Sequence, residues 1–179
     1  YRGTRSETSS PHSGAHLNIL NDQNQWPQGG DSPEHYPPIY AIADAEVVRV
    51  DTYYSVVQQP QGVENFRYGI TLKIAEREGS PVTFSYSIEQ MINPNDPEFY
   101  IPFILVNKGD IVEKGDVIAY FYLAPNDDSH NAHIHFHLQW NNQFKGPCIF
   151  TDELVSNFTQ LFLERGYEGD SAPNTMCYM

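Results

Sequence analysis

The sequence predicts a mostly β, antiparallel domain of the sandwich or barrel type with one C-terminal helix, and three observations predict it. Short β-branched and aromatic runs recur at close spacing between Ile39 and Trp140, bounded by Gly, Pro, Asn and Asp. Helical character is confined to one segment, Thr151 to Glu164. The 179 residues are 40% hydrophobic and 13% aromatic, which is too apolar for a disordered chain and enough for a core of its own. Length makes a single domain the expectation, with an N-terminal segment (1–38), a β core (39–140) and a C-terminal helix and tail (141–179).

Taken in order, Tyr1 to Asp31 is rich in Ser, Asn, Gln, Gly and His and reads as an extended or looped segment with one short apolar run, Leu17 to Leu20. Asp31 to Pro38 is a proline-punctuated loop. Ile39 to Ala43 and Ala45 to Val50 are β-branched and partly alternating, hence strands. Tyr53 to Phe66 reads as a long hairpin excursion, and Tyr68 to Ala75 and Pro81 to Ile88 as strands around the turn Glu76 to Ser80. Asn93 to Pro102 is an inserted loop, and Ile104 to Val106, Asp110 to Val112, Val117 to Leu123 and Ala132 to Trp140 are further strands. Thr151 or Asp152 caps the helix that Gly166 stops. One local echo is present, Asn107-Lys108-Gly109-Asp110 followed by Glu113-Lys114-Gly115-Asp116.

Ten basic and 23 acidic residues give a formal charge of −13. A phosphate backbone or an anionic lipid surface would be repelled over most of such a molecule, so nucleic acid and membrane surfaces are poor partners. The longest apolar stretches are strand-sized, far short of the roughly 20 residues that span a bilayer, so no membrane span is expected. Cys148 and Cys177 lie on either side of the predicted helix. They are either a disulfide that pins the tail, as an oxidising compartment would allow, or two unrelated thiols.

The chemistry concentrates in His133-Ile134-His135-Phe136-His137. Alternation along a strand puts the three histidines on one face and Ile134, Phe136 and Leu138 on the other. Imidazole is a common zinc ligand, and alternate strand positions can supply ligands to one ion if a third comes from elsewhere. The plain alternative is an exposed strand face that happens to be rich in histidine. His130 lies just upstream, and the N-terminal segment offers His12-Ser13-Gly14-Ala15-His16.

The order of these pieces resembles the lysostaphin-type (LytM-like) zinc metallopeptidases. His12-x-Gly14-x-His16, Pro38 to Asp44 leading into Val47-Val48, Tyr68-Gly69, Gly109 to Ile118 and His133-Ile134-His135-Phe136 follow the family's succession, and the resemblance spans His12 to Leu138. It implies the family's duplicated hybrid β motif, a Zn2+ cofactor, and a peptide substrate such as the short bridges of peptidoglycan. It implies an extracytoplasmic location, which a cysteine pair would suit. Carried over by position, His12, His16 and His135 become metal ligands and His133 the catalytic base. A second register, with His16 as first ligand and Leu20 in the next ligand position, is also open.

The sequence departs from the pattern at four places. His16 stands where the family has Asp, Ala45 where it has Gly, and His137 where it has Glu. The strand that normally carries a second catalytic histidine reads Phe84-Ser85-Tyr86-Ser87-Ile88. Loss of such a preorganised donor is worth about 10²–10³ in rate. Tyr86 is the candidate to donate in its place. A catalytically inactive, peptidase-shaped binding or regulatory domain is the alternative expectation.

Overall fold

The computed structural model describes residues 15–18, 32–58, 62–124, 132–141, 143–145 and 160. Nine strands run through them: β1 (Ala15–Asn18), β2 (Pro38–Tyr40), β3 (Ala45–Gln58), β4 (Val63–Arg77), β5 (Ser80–Ile92), β6 (Ile111–Val112), β7 (Val117–Tyr120), β8 (His133–Trp140) and β9 (Gln143–Lys145). Two three-residue 3-10 turns, Pro33–His35 and Ile101–Phe103, interrupt the loops. The helix and the two cysteines expected beyond residue 145 lie outside the described residues, apart from Gln160, which is helical.

Seven strands form one antiparallel sheet in the order β1-β8-β5-β4-β3-β6, with β9 also paired to β8, while β2 and β7 form a separate two-stranded sheet. The architecture is therefore mostly β and antiparallel, as the alternating pattern predicts. The centre of the large sheet is β3, β4 and β5, at 14, 15 and 13 residues. The expected excursion from Tyr53 to Phe66 is a continuation of β3 and β4, which stay paired from Glu46 and Lys73 out to Gln58 and Val63. β4 and β5 close on a two-residue turn in which Glu78 (φ 53°) and Gly79 (φ 72°) are both left-handed, the conformation whose twist matches the flanking strands. The run Ile104 to Val106 makes one bridge, Ile104 to Ala119, instead of a full strand.

The core lies on one face of the large sheet. Val47, Tyr68, Ile70, Leu72, Ile88 and Ile134 are buried there, in one cluster with Ile39, Ala41, Ile118, Ala119 and Phe121 from β2, β7 and their flanks. Each fully buried aliphatic side chain of this kind contributes roughly 1.5–3 kcal/mol. Buried tyrosines then lock the parts together through their polar tips. The Tyr86 hydroxyl donates to the Tyr40 carbonyl and accepts from the Ile42 amide, both at 3.0 Å. Tyr68 donates to the Tyr120 carbonyl, and Tyr100 to the Phe66 carbonyl at 2.7 Å.

The sequence echo is a repeated turn. The Asp110 carboxylate accepts from the Asn107 amide at 2.7 Å, and the Asp116 carboxylate from the Glu113 amide at 2.8 Å. Gly109 (φ 98°) and Gly115 (φ 96°) occupy the matching left-handed position in each turn.

Candidate functional site

The other face of the large sheet carries the polar residues, and the ladders fix which of them are neighbours. On β8, Ile134 and Leu138 are buried on the core side while His133, His135 and His137 alternate to the opposite side and are partly exposed. Across the β5 ladder, His137 faces Ser85, His135 faces Ser87 and His133 faces Glu89. Across the β1 ladder, His16 stands opposite His135 and Asn18 opposite His133. The rings of His135 and His137 are 5.2 Å apart and edge to face.

Around His133 the polar groups form a braced cluster. Nε2 of His133 lies 3.4 Å from Oε2 of Glu89. The other carboxylate oxygen, Oε1, pairs with the Arg67 guanidinium and accepts from the Ser87 hydroxyl at 3.0 Å. The hydroxyls of Tyr54 and Ser87 are hydrogen-bonded at 2.8 Å, and the Arg67 guanidinium lies over the Tyr54 ring, 4.5 Å from its centre. Glu89 and Ser87 are each only 5% exposed.

A buried carboxylate needs such partners, because burial alone raises its pKa. Burial is the largest influence on Glu89. The hydrogen bond with His133, the charge of Arg67, the charge that His133 can carry and the Ser87 hydroxyl together outweigh it, and Glu89 is held at about 2. It is an anion throughout the neutral range. The Tyr54 hydroxyl is pushed up, chiefly by burial.

The backbone aims Glu89. Between the pairs Tyr68–Ile88 and Phe66–Ile92, β5 advances four residues while β4 advances two, so Glu89, Gln90 and Met91 form a bulge opposite Arg67. Met91 takes a left-handed φ of 59°, unusual for a residue with a side chain. Gly69, beside Ser87 in the ladder, leaves room for this cluster, since a Cβ there would meet the Tyr54 hydroxyl at 3.1 Å and the Tyr86 carbonyl oxygen at 3.2 Å.

Of the residues singled out from the sequence, His133 and His135 are brought to one face, and His16 is brought into register with His135. His12 and His130 lie outside the described residues. Tyr86 pairs with Phe136 on the core side, and its hydroxyl is engaged by Tyr40 and Ile42, so the structure does not bring it to the histidines. Ser87 is the β5 residue beside His135. Sequence reading did not single out Glu89, Ser87 or Arg67.

Among the described residues no group of three or more His, Cys, Asp or Glu side chains gathers as a metal cage. The donor chemistry is nonetheless of the right kind. Residues directly opposite in an antiparallel ladder have Cβ atoms about 5 Å apart, a spacing from which two imidazoles can share one ion.

No protein-family profile and no curated protein sequence matches the chain. Solved structures similar to it include the following three. One is a mutant of the catalytic domain of the prophage-encoded M23 protein EnpA from Enterococcus faecalis, with 15% identity, a TM-score of 0.49, and 83% of this chain and 85% of that one covered. Lysostaphin in solution is 18% identical with a TM-score of 0.38, over 66% of this chain and 40% of that one. The SpoIIQ–SpoIIIAH pore-forming complex is 17% identical with a TM-score of 0.35, over 65% of this chain and 57% of that one. The chain thus spans less than two thirds of the last two.

Proposed function

We propose that this domain is a divergent zinc metallopeptidase of the lysostaphin type, acting outside the cytoplasm on short peptide bridges such as those of peptidoglycan. The observation that carries the reading is the β1–β8 ladder, which sets His16 across from His135. That is the juxtaposition required if His16 occupies the second ligand position of the motif. The other register would ask Leu20, a residue with no donor atom, to stand there.

His12, His16 and His135 are the residues that would hold the ion. Bound Zn2+ would supply an acidic water and polarise the scissile carbonyl. The chain's own residues do the rest. His133 takes a proton from the attacking water, and the Glu89 carboxylate stabilises the positive charge that the ring acquires. Ser87, with its hydroxyl tied between Tyr54 and Glu89, fixes that carboxylate. Three imidazoles in place of a ligand set with one carboxylate would leave a bound ion with one more uncompensated positive charge.

One observation favours a second reading, a peptidase-shaped domain that binds wall peptides without cutting them. Ser87 is the β5 residue beside His135, where a second imidazole is expected, and its hydroxyl is committed within the cluster. The two readings separate experimentally. Elemental analysis of untagged protein purified without chelator is expected to give near-stoichiometric zinc that is lost in the His12→Ala/His135→Ala double variant. Cleavage of purified peptidoglycan that disappears with the zinc supports the enzyme. Zinc without cleavage supports the binding domain, and failure to take up supplied zinc overturns the metal site.

A further inference from the structure

We infer that Tyr54 is a catalytic residue, its hydroxyl donating a hydrogen bond to the carbonyl oxygen of the peptide bond under attack. The inference rests on the peptidase reading of the same site and adds to it the group that meets the charge developing on the substrate.

When the oxygen of a water adds to a peptide carbonyl, negative charge builds on the carbonyl oxygen, and a donor fixed in advance at that point lowers the barrier. The hydroxyl and guanidinium donors of the cluster can be sorted by their partners. Ser87 gives its one hydroxyl hydrogen to Glu89 at 3.0 Å. The Arg67 guanidinium is paired with the same carboxylate. Tyr54 remains. Its hydroxyl lies 2.8 Å from the Ser87 oxygen, and because the Ser87 hydrogen is already given to Glu89, Tyr54 is the donor of that bond. Its hydrogen thus rests on a neutral hydroxyl, a weaker acceptor than an oxygen that is gaining charge.

The ladders put this hydroxyl in line with the histidines. Gly69 on β4, Ser87 on β5, His135 on β8 and His16 on β1 are successive partners, so they form one row across four strands. Gly69 has no side chain to contribute, and Tyr54 takes the space. A Cβ at Gly69 would meet the Tyr54 hydroxyl at 3.1 Å and its ring carbon Cε1 at 3.4 Å. Tyr54 pairs with Arg67, two residues along β4, and leans diagonally over the glycine to enter the row. Its O–H then points along the row, past Gly69 to Ser87 and in the direction of His135.

Tyr54 is also unlike the other bonded tyrosines. Tyr68, Tyr86 and Tyr100 are buried and give their hydroxyl hydrogens to backbone carbonyls, whereas Tyr54 is partly exposed on the histidine face. The Arg67 guanidinium over its ring holds the ring in place, so redirecting the hydrogen takes only a turn about the Cζ–Oη bond. In the hydrolysis the water oxygen bonds to the carbonyl carbon, the C=O electron pair moves onto its oxygen, and Tyr54 donates to that oxygen while keeping its proton. The pair returns as the C–N bond breaks. The departing nitrogen takes up the proton that the water lost, which gives a carboxylic acid and an amine, and Tyr54 turns back to Ser87.

The test compares zinc-loaded full chain with its Tyr54→Phe variant on purified peptidoglycan, the cleaved bond being identified by mass spectrometry of the products. Tyr54→Phe should lower kcat about 10²–10³-fold with KM unchanged. A second measurement does not depend on turnover. A phosphinic peptide, with a phosphinate and a methylene in place of the cleaved amide, should bind the variant more weakly by the factor that kcat/KM falls, while the product peptide binds both proteins alike in calorimetry. Zinc content should be the same in both. An unchanged kcat, a phosphinic peptide bound equally by both, or a loss of kcat matched by a loss of zinc overturns the inference and leaves the peptidase reading standing. No zinc uptake, or no cleavage by the unaltered protein, overturns the peptidase reading and the inference with it.

Discussion

At the scale of single residues, the polar face depends on keeping one carboxylate ionised out of water. Glu89 is held at about 2 in the folded chain against an ordinary value of 4.5. Its contribution to stability is therefore fully present above pH 4.5 and is lost as the pH falls toward 2. The size is roughly 3 kcal/mol. Urea unfolding from pH 6 down to pH 2 is expected to show this decline, and the Glu89→Gln protein, already weaker at pH 6, should show less of it. Gly69 gives a second prediction. Gly69→Ala would press on the Tyr54 hydroxyl and the Tyr86 carbonyl oxygen, at 3.1 and 3.2 Å, and should destabilise by about 1–3 kcal/mol in thermal or urea unfolding. Tyr54→Phe, which removes only the hydrogen bond to Ser87, should cost about 1 kcal/mol. The histidines of this face were legible in the sequence because alternation alone sorts a strand into two sides. Glu89 was not, because the strand reading stopped at Ile88. The signal was available in Ser85-x-Ser87-x-Glu89, the polar complement of Phe84, Tyr86 and Ile88. Arg67 and Tyr54 could not have been found that way, since their place beside Glu89 depends on pairing across three strands and on a bulge.

At the scale of elements, local turn chemistry was readable and strand length was not. The glycines of the two Asn/Glu-Lys-Gly-Asp segments are both left-handed, with open space where a Cβ would be. Alanine at Gly109 or Gly115 should therefore cost roughly 1–2 kcal/mol through backbone strain alone, with no cavity or clash, and the two variants should show equal losses in urea unfolding. Unequal losses would mean that the echo in sequence is not an echo in energy. The hairpin excursion expected from Tyr53 to Phe66 is the outer part of one longer β3–β4 hairpin, whose pairing runs from Glu46 and Lys73 out to Gln58 and Val63. Tyr86 shows how strand parity decides where a side chain goes. Its hydroxyl is as able to donate as any, but strand parity sends it into the core, where it bridges Tyr40 and Ile42.

At the scale of the whole molecule, the large sheet has two unlike faces, an apolar one closed by β2 and β7 and a polar one on which the histidines stand. The sequence conveyed that division through alternation and aromatic content. It did not convey the strand order, which no local pattern encodes, and it is the order that places β8 between β1 and β5. β1 is four residues long and, among the described residues, pairs with β8 alone. A strand held by so few bonds at a sheet's edge opens far more often than the centre of the sheet. If an ion is shared between His16 and His135, each opening of that edge breaks a metal bond, and the ion becomes the latch of the strand. Amide hydrogen exchange at 15–18 should then be fast without zinc and slow sharply when zinc is added, while β4 and β5 change little. The edge strand would report occupancy of the site as a change of rate, readable before any substrate is known.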